Sequence, residues 1–123
     1  RDRRVMSRKA LIPLSGEEAA PRFDLAGEVL IVALDDDGGI KDERIIVVSQ
    51  ASAEGLCHLI LKEEVDAVIC GGIEEEYYQY LKWKRVDLID DVIGPWKAAL
   101  RAWIEGTLAP GTILYPRRDQ HEC

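Results

Sequence analysis

Cysteine is scarce in this chain of 123 residues, and the three present, Cys57, Cys70 and Cys123, are odd in number and widely spaced. They fit neither a disulfide framework nor a CxxC metal or redox pair, so a reducing, cytoplasmic compartment is the expectation. Long apolar runs are missing too. None approaches the roughly 20 residues that a bilayer-spanning helix needs, so no membrane partner is expected. The basic start (Arg1, Arg3, Arg4, Arg8, Lys9) has no apolar region behind it and does not read as a signal peptide; Met6 offers a natural start, with residues 1–5 then foreign to the native chain. Cations are the minority: 16 Lys and Arg stand against 23 Asp and Glu, a net charge of −7. Because residues 1–9 carry +4 and residues 117–123 balance, the stretch 10–116 carries −11. Such a field repels phosphate backbones, which excludes nucleic acid as a partner of the folded part. Repeats and low-complexity tracts are absent.

What is present is ordinary for a globular protein, with 47% hydrophobic and 32% charged residues. The length suits one domain, expected over residues 8–116 with flexible tails at 1–7 and 117–123. Residues 8–14 read as a first strand, and Pro13, which lacks a ladder donor, places its end at a sheet edge or a loop entrance. Ser15–Gly27 reads as a long loop. Val29–Leu34 is a continuous apolar strand, Asp35-Asp36-Asp37-Gly38-Gly39 supplies turn chemistry, and Arg44–Val48 completes an antiparallel hairpin. From Ser52, a plausible N-cap, apolar residues follow helical spacing to about residue 64. Asp66–Cys70 is a short β-branched strand that halts at Gly71-Gly72. Glu74, Glu75 and Glu76 then suit the first turn of a helix over 74–83. Val86–Ile89 is the last strand, and a third helix opens at Gly94-Pro95 and closes at Gly106. The order β-β-β-α-β-α-β-α predicts an α/β domain with a mixed five-stranded sheet flanked by helices.

In crossover α/β sheets ligands gather at the carboxyl ends of the parallel strands, which singles out the loop after Cys70. Gly71 and Gly72 would let a ligand approach backbone N–H groups, and Cys70 either offers a thiolate to a soft metal or is a buried cysteine beside a turn. In the first long loop, Arg22, Phe23 and Asp24 either surround a ligand, together with Ser15 and Gly16, or anchor the loop with Phe23 as a core plug. The glycine doublet lacks the Lys-Ser/Thr of a phosphate loop, and three glutamates follow it. Cys57 and His58, adjacent on a helix, point about 100° apart and rarely share an ion. His121 and Cys123 form a soft-ligand pair in the tail. The three aspartates lack the glutamate that a calcium loop requires. Trp83, Trp96, Trp103, Tyr77 and Tyr80 sit at helical positions and read mostly as core. No nucleophile can be paired with a base, so an enzyme is not expected.

Three segments taken together carry a resemblance: Ala10-Leu11-Ile12-Pro13-Leu14-Ser15-Gly16, then Pro21-Arg22-Phe23-Asp24, then Val65-Asp66-Ala67-Val68-Ile69-Cys70-Gly71-Gly72-Ile73. Over about residues 8–106 the chain resembles the dinitrogenase iron-molybdenum cofactor biosynthesis family, small domains with a ribonuclease H-like fold. The resemblance implies a carrier or scaffold that holds an iron-sulfur or molybdenum-iron cluster and passes it between cofactor-assembly and acceptor proteins, as a monomer or weak homodimer. Family members commonly carry His-Phe-Gly-Arg in the first long loop, where this chain reads Arg22-Phe23-Asp24. Without that histidine, Cys70 would supply part of the ligation, or Arg22 and backbone N–H groups would hold an anionic cluster through its sulfides. The fold analogy also suggests a nuclease, but the first strand and Ala67–Cys70 carry none of the carboxylates that two-metal chemistry needs. The alternative is a cofactor-free interaction module in which the acidic surface and the helix bearing Tyr77, Tyr78 and Tyr80 meet a protein partner.

Overall fold

The computed structural model describes residues 8–48 and 50–115. The expectations for the tails, Met6, His121 and Cys123 lie outside the described residues. The elements run β1 (Arg8–Ser15), β2 (Glu18–Ala19), β3 (Glu28–Leu34), β4 (Ile40–Val47), α1 (Ala53–Lys62), β5 (Ala67–Ile69), α2 (Glu75–Trp83), β6 (Asp87–Ile89) and α3 (Trp96–Glu105). The sheet order is β4-β3-β1-β5-β6, with β1 antiparallel to β3 and parallel to β5, and β5 parallel to β6. This is the expected mixed sheet with one strand more, because β2 inside the first long loop pairs with the end of β1 through Leu14↔Ala19.

Period-two alternation explains how the layers form. Ala10, Ile12 and Leu14 of β1 join Leu30, Val32 and Leu34 of β3 and Ala67 and Ile69 of β5 in a core against Ala99, Leu100 and Trp103 of α3. The intervening residues Leu11, Val29, Ile31, Val68 and Cys70 face the other way, toward Leu56, Cys57 and Ile60 of α1 and Leu81 of α2. With helices on both faces, the central strands read as unbroken apolar runs rather than alternating ones. Pro13 is tolerated in the central strand β1 for a local reason. Ala20 N–H donates to the Pro13 carbonyl at 2.8 Å, so the missing N–H faces the side where β5 pairs only with Ala10 and Leu11.

Strand β4 begins at Ile40, four residues before the expected start, and adds Lys41, Asp42 and Glu43 to the hairpin. The sequence reading left those residues outside the strand, but β4 is an edge strand whose side chains are mostly exposed, and charge there blunts edge-to-edge pairing. In the turn before it, Asp35 and Asp37 carboxylates accept from the Gly39 amide at 3.0 and 3.2 Å. Those bonds account for the turn, and hydrogen bonds from Asp35 and Gly39 hold the Asp37 carboxyl below its usual range. Exposure overturns one expectation. Trp103 is core, but Trp83 is 73% and Tyr80 39% exposed, because α2 turns only Leu81 fully inward and half-buries Tyr77 and Tyr78.

Helix α1 starts at Ser52, whose hydroxyl accepts from the Gly55 amide at 3.0 Å, and its buried residues Ala53, Leu56, Cys57 and Ile60 form one stripe. Among the described residues no helix is long and apolar enough to cross a membrane. Replacing Ser52 with Ala removes the cap and should lower stability by about 1 kcal/mol in urea unfolding, with the helical content unchanged.

Candidate functional site

The first long loop is sewn to the carboxyl end of the sheet by its backbone. Ala19 N–H donates to the Gly94 carbonyl at 3.0 Å, Gly72 N–H to Pro21 at 2.7 Å, and Phe23 N–H to Gly72 at 2.8 Å. Trp96 N–H donates back to Glu17 at 3.0 Å. Phe23, 1% exposed, fixes the loop from below by entering the core between the sheet and α1. Of the two readings the sequence left open, this is the core plug and not the aromatic face turned to a ligand.

The reading of the glycine loop is corrected. A Cβ on Gly71 would stand 2.5 Å from both the Ala20 and Pro21 carbonyl oxygens, so glycine is required for close approach of two backbones. The space expected for a ligand between the two loops is therefore filled by the chain itself. Gly72 spends its N–H and its carbonyl on Pro21 and Phe23. Cys70 is 0% exposed and packs with Val68 and Leu88 in the α1 and α2 core. Burial, helped by the charges of Asp90 and Asp91, pushes its thiol from the usual 9.0 up to about 12. Burial thus disfavours the thiolate, the form that would ligate a metal. Burial, and secondarily Glu54, pushes the Cys57 thiol up to about 11.

The cavity lies instead on the outer side of the first loop, a groove of about 610 Å³. Ser15, Gly16 and Arg22, three of the candidates from the sequence, line it, with Asp24 beside Arg22. The Arg22 guanidinium donates to both Asp24 oxygens, Nε at 3.1 Å and Nη2 at 2.8 Å. This fork steadies the one cation of the groove and leaves it more than half exposed. Leu25 and Val47, 62% and 72% exposed, form an apolar rim, and Glu28 adds a carboxylate. Sequence reading missed these three. Leu25 sits in a short 3-10 turn, and Val47 ends an edge strand whose partner face only the fold reveals. Among the described residues that line the groove there is no thiol and no imidazole, so the groove favours shape, apolar contact and hydrogen bonding over direct soft-metal ligation.

The layers and strand order define a three-layer α/β class with a mixed sheet, and solved structures share it. A protein from Methanococcus jannaschii described as a candidate dinitrogenase is 27% identical, with 90% of this chain and 97% of its own covered and a TM-score of 0.70. A protein from Thermotoga described as a candidate NifB protein is 18% identical, with 89% and 97% covered and a TM-score of 0.62. The apo form of the orange protein from Desulfovibrio gigas is 14% identical, with 84% and 92% covered and a TM-score of 0.63. The last two identities show the fold alone. No family model matches the chain, and no curated protein matches it.

Two outcomes are expected from this geometry. Gly71→Ala should cost about 3 kcal/mol in urea unfolding as an overpacked contact, whereas Gly16→Ala, with open space but φ +62°, should cost about 1 kcal/mol. A thiol raised on folding contributes stability that is present below its unfolded value and is lost as pH rises through the folded one. Stability should therefore fall between pH 9 and 12, and in Cys70→Ser the slope of that fall should shrink by up to about 1.4 kcal/mol per pH unit, read from urea midpoints.

Proposed function

We propose that this chain is a small non-catalytic carrier or scaffold that holds a preformed metal cluster as cargo and hands it to a cofactor-assembly or acceptor protein. The observation that carries the reading is the outer groove of the first loop, with one fork-held guanidinium, a hydroxyl and an apolar rim. A cluster that brings its own sulfides needs no thiolate from the protein. Arg22 N–H groups would meet the sulfides, Ser15 would add a donor, and Leu25 and Val47 would cover part of the surface. The nearby carboxylates of Asp24 and Glu28 oppose a highly charged anion, so the fit is to loose, exchangeable holding, which suits a carrier.

Likeness to the M. jannaschii protein described as a candidate dinitrogenase, and the fold shared with the candidate NifB protein, support a place in cofactor assembly. The orange protein is described in an apo form, which supports a removable group on this fold. The cargo chemistry proposed is an iron-sulfur or molybdenum-containing cluster. Protein purified without oxygen and incubated with iron, sulfide and tetrathiomolybdate should take up stoichiometric metal and show charge-transfer bands. Arg22→Ala should weaken retention about tenfold, the loss of one charge-assisted contact, while Cys70→Ser retains the cluster. A colourless, metal-free protein under all these conditions would overturn the reading.

A further inference from the structure

A second groove, of about 620 Å³, runs between α1 and α2 and shares no lining residue with the first. Its walls carry Glu54 and His58 from α1 and Glu76, Tyr77 and Tyr80 from α2, and among the described residues no lysine or arginine lines it. Carboxylates thus flank two tyrosine rings on an open surface. The field they make is already felt at Tyr77, whose hydroxyl is pushed up by burial and then by Glu76, Glu54 and Glu74. One turn beyond Tyr80 stands Trp83, with ring centroids 6.4 Å apart at 52°. The molecule itself places a cation on this surface: the Lys84 ammonium lies 4.7 Å from the Trp83 ring centroid and 5.7 Å from that of Tyr80. That contact is what aromatic faces offer to ammonium and guanidinium groups. A large exposed tryptophan beside tyrosines is also the composition of interface anchors.

We infer that the groove between α1 and α2 docks an arginine- and lysine-bearing segment of a partner protein, its cationic side chains set between Glu54 and Glu76 and beside the rings of Tyr77 and Tyr80. The occupant follows from charge complementarity: the carboxylates repel an acidic segment, and the aromatic faces attract a basic one more than a neutral one. The groove's length along two helices and its open side suit an extended peptide rather than an enclosed small molecule. The site does not depend on the cargo groove, and its failure would leave the carrier reading untouched.

The test uses the full chain and a fluorescein-labelled peptide of alternating arginine and glycine, followed by anisotropy, with spermidine as competitor. Binding is expected with a Kd of about tens of micromolar, weakening as salt rises. The double variant Glu54→Gln/Glu76→Gln and the single variant Tyr80→Ala should each weaken it about tenfold, whereas Glu43→Gln/Glu105→Gln, the same charge removed from exposed positions on the α3 side, should leave it within twofold. Circular dichroism should report folded protein throughout, since these side chains are on the surface. Absence of binding overturns the inference, and so does an equal loss in both double variants, which would mark attraction by net charge alone. Spermidine binding as tightly as the peptide would reassign the groove to a free polyamine and likewise overturn the docked segment.

Discussion

The contact of Gly71 with the Ala20 and Pro21 carbonyls is the constraint on which the functional surface depends. Only a residue without a Cβ lets the first long loop lie directly on the end of β5, and the hydrogen bonds between Gly72, Pro21 and Phe23 then hold it there. Phe23 is driven into the core by the same placement, and Arg22, its neighbour, is turned outward to meet Asp24. A loop held this way presents its outer side, so the groove of Ser15, Arg22, Leu25 and Val47 exists because the inner side is closed. Loops fixed to a rigid sheet are also where binding residues are most often displayed.

Covering the sheet on both faces removes cysteine chemistry from the surface described. Cys57 and Cys70 become small apolar residues of the α1 and α2 layer, and desolvation disfavours their thiolates. What remains accessible is oxygen, guanidinium, ammonium, the His58 imidazole, tyrosine and tryptophan. These groups recognise ligands by charge, hydrogen bonding and shape, which favours reversible holding over covalent capture. The two grooves divide that chemistry: one centres on a guanidinium, the other on carboxylates and aromatic rings.

Much of the architecture was legible in the residues. Ser52 marked the start of α1, Gly106 with φ +78° closed α3, and the run Asp35–Gly39 turned the β3 and β4 hairpin, because caps and turns depend on local backbone chemistry. The polar start of β4 was not legible, since an edge strand needs no apolar pattern of its own. Nor was the exposure of Trp83, whose helical spacing matched core spacing while α2 packed chiefly through Leu81. Within the candidate site, Ser15, Gly16 and Arg22, singled out from the sequence, line a groove. For Cys70 and Phe23 the sequence left a ligand-facing and a buried reading open, and the loop that settles on them decides for burial.

The sequence by itself determined the order of elements, the mixed sheet and the acidic field. These follow from period, turn residues and charge, all of which act over a few neighbouring positions. Only the tertiary structure decided which side of the first loop faces solvent, that Gly71 serves a backbone contact rather than a ligand, and that Glu54 and Glu76, 22 positions apart, share a groove. Each of those depends on contacts between segments distant in the chain, and steric fit between backbones leaves no periodic trace in sequence.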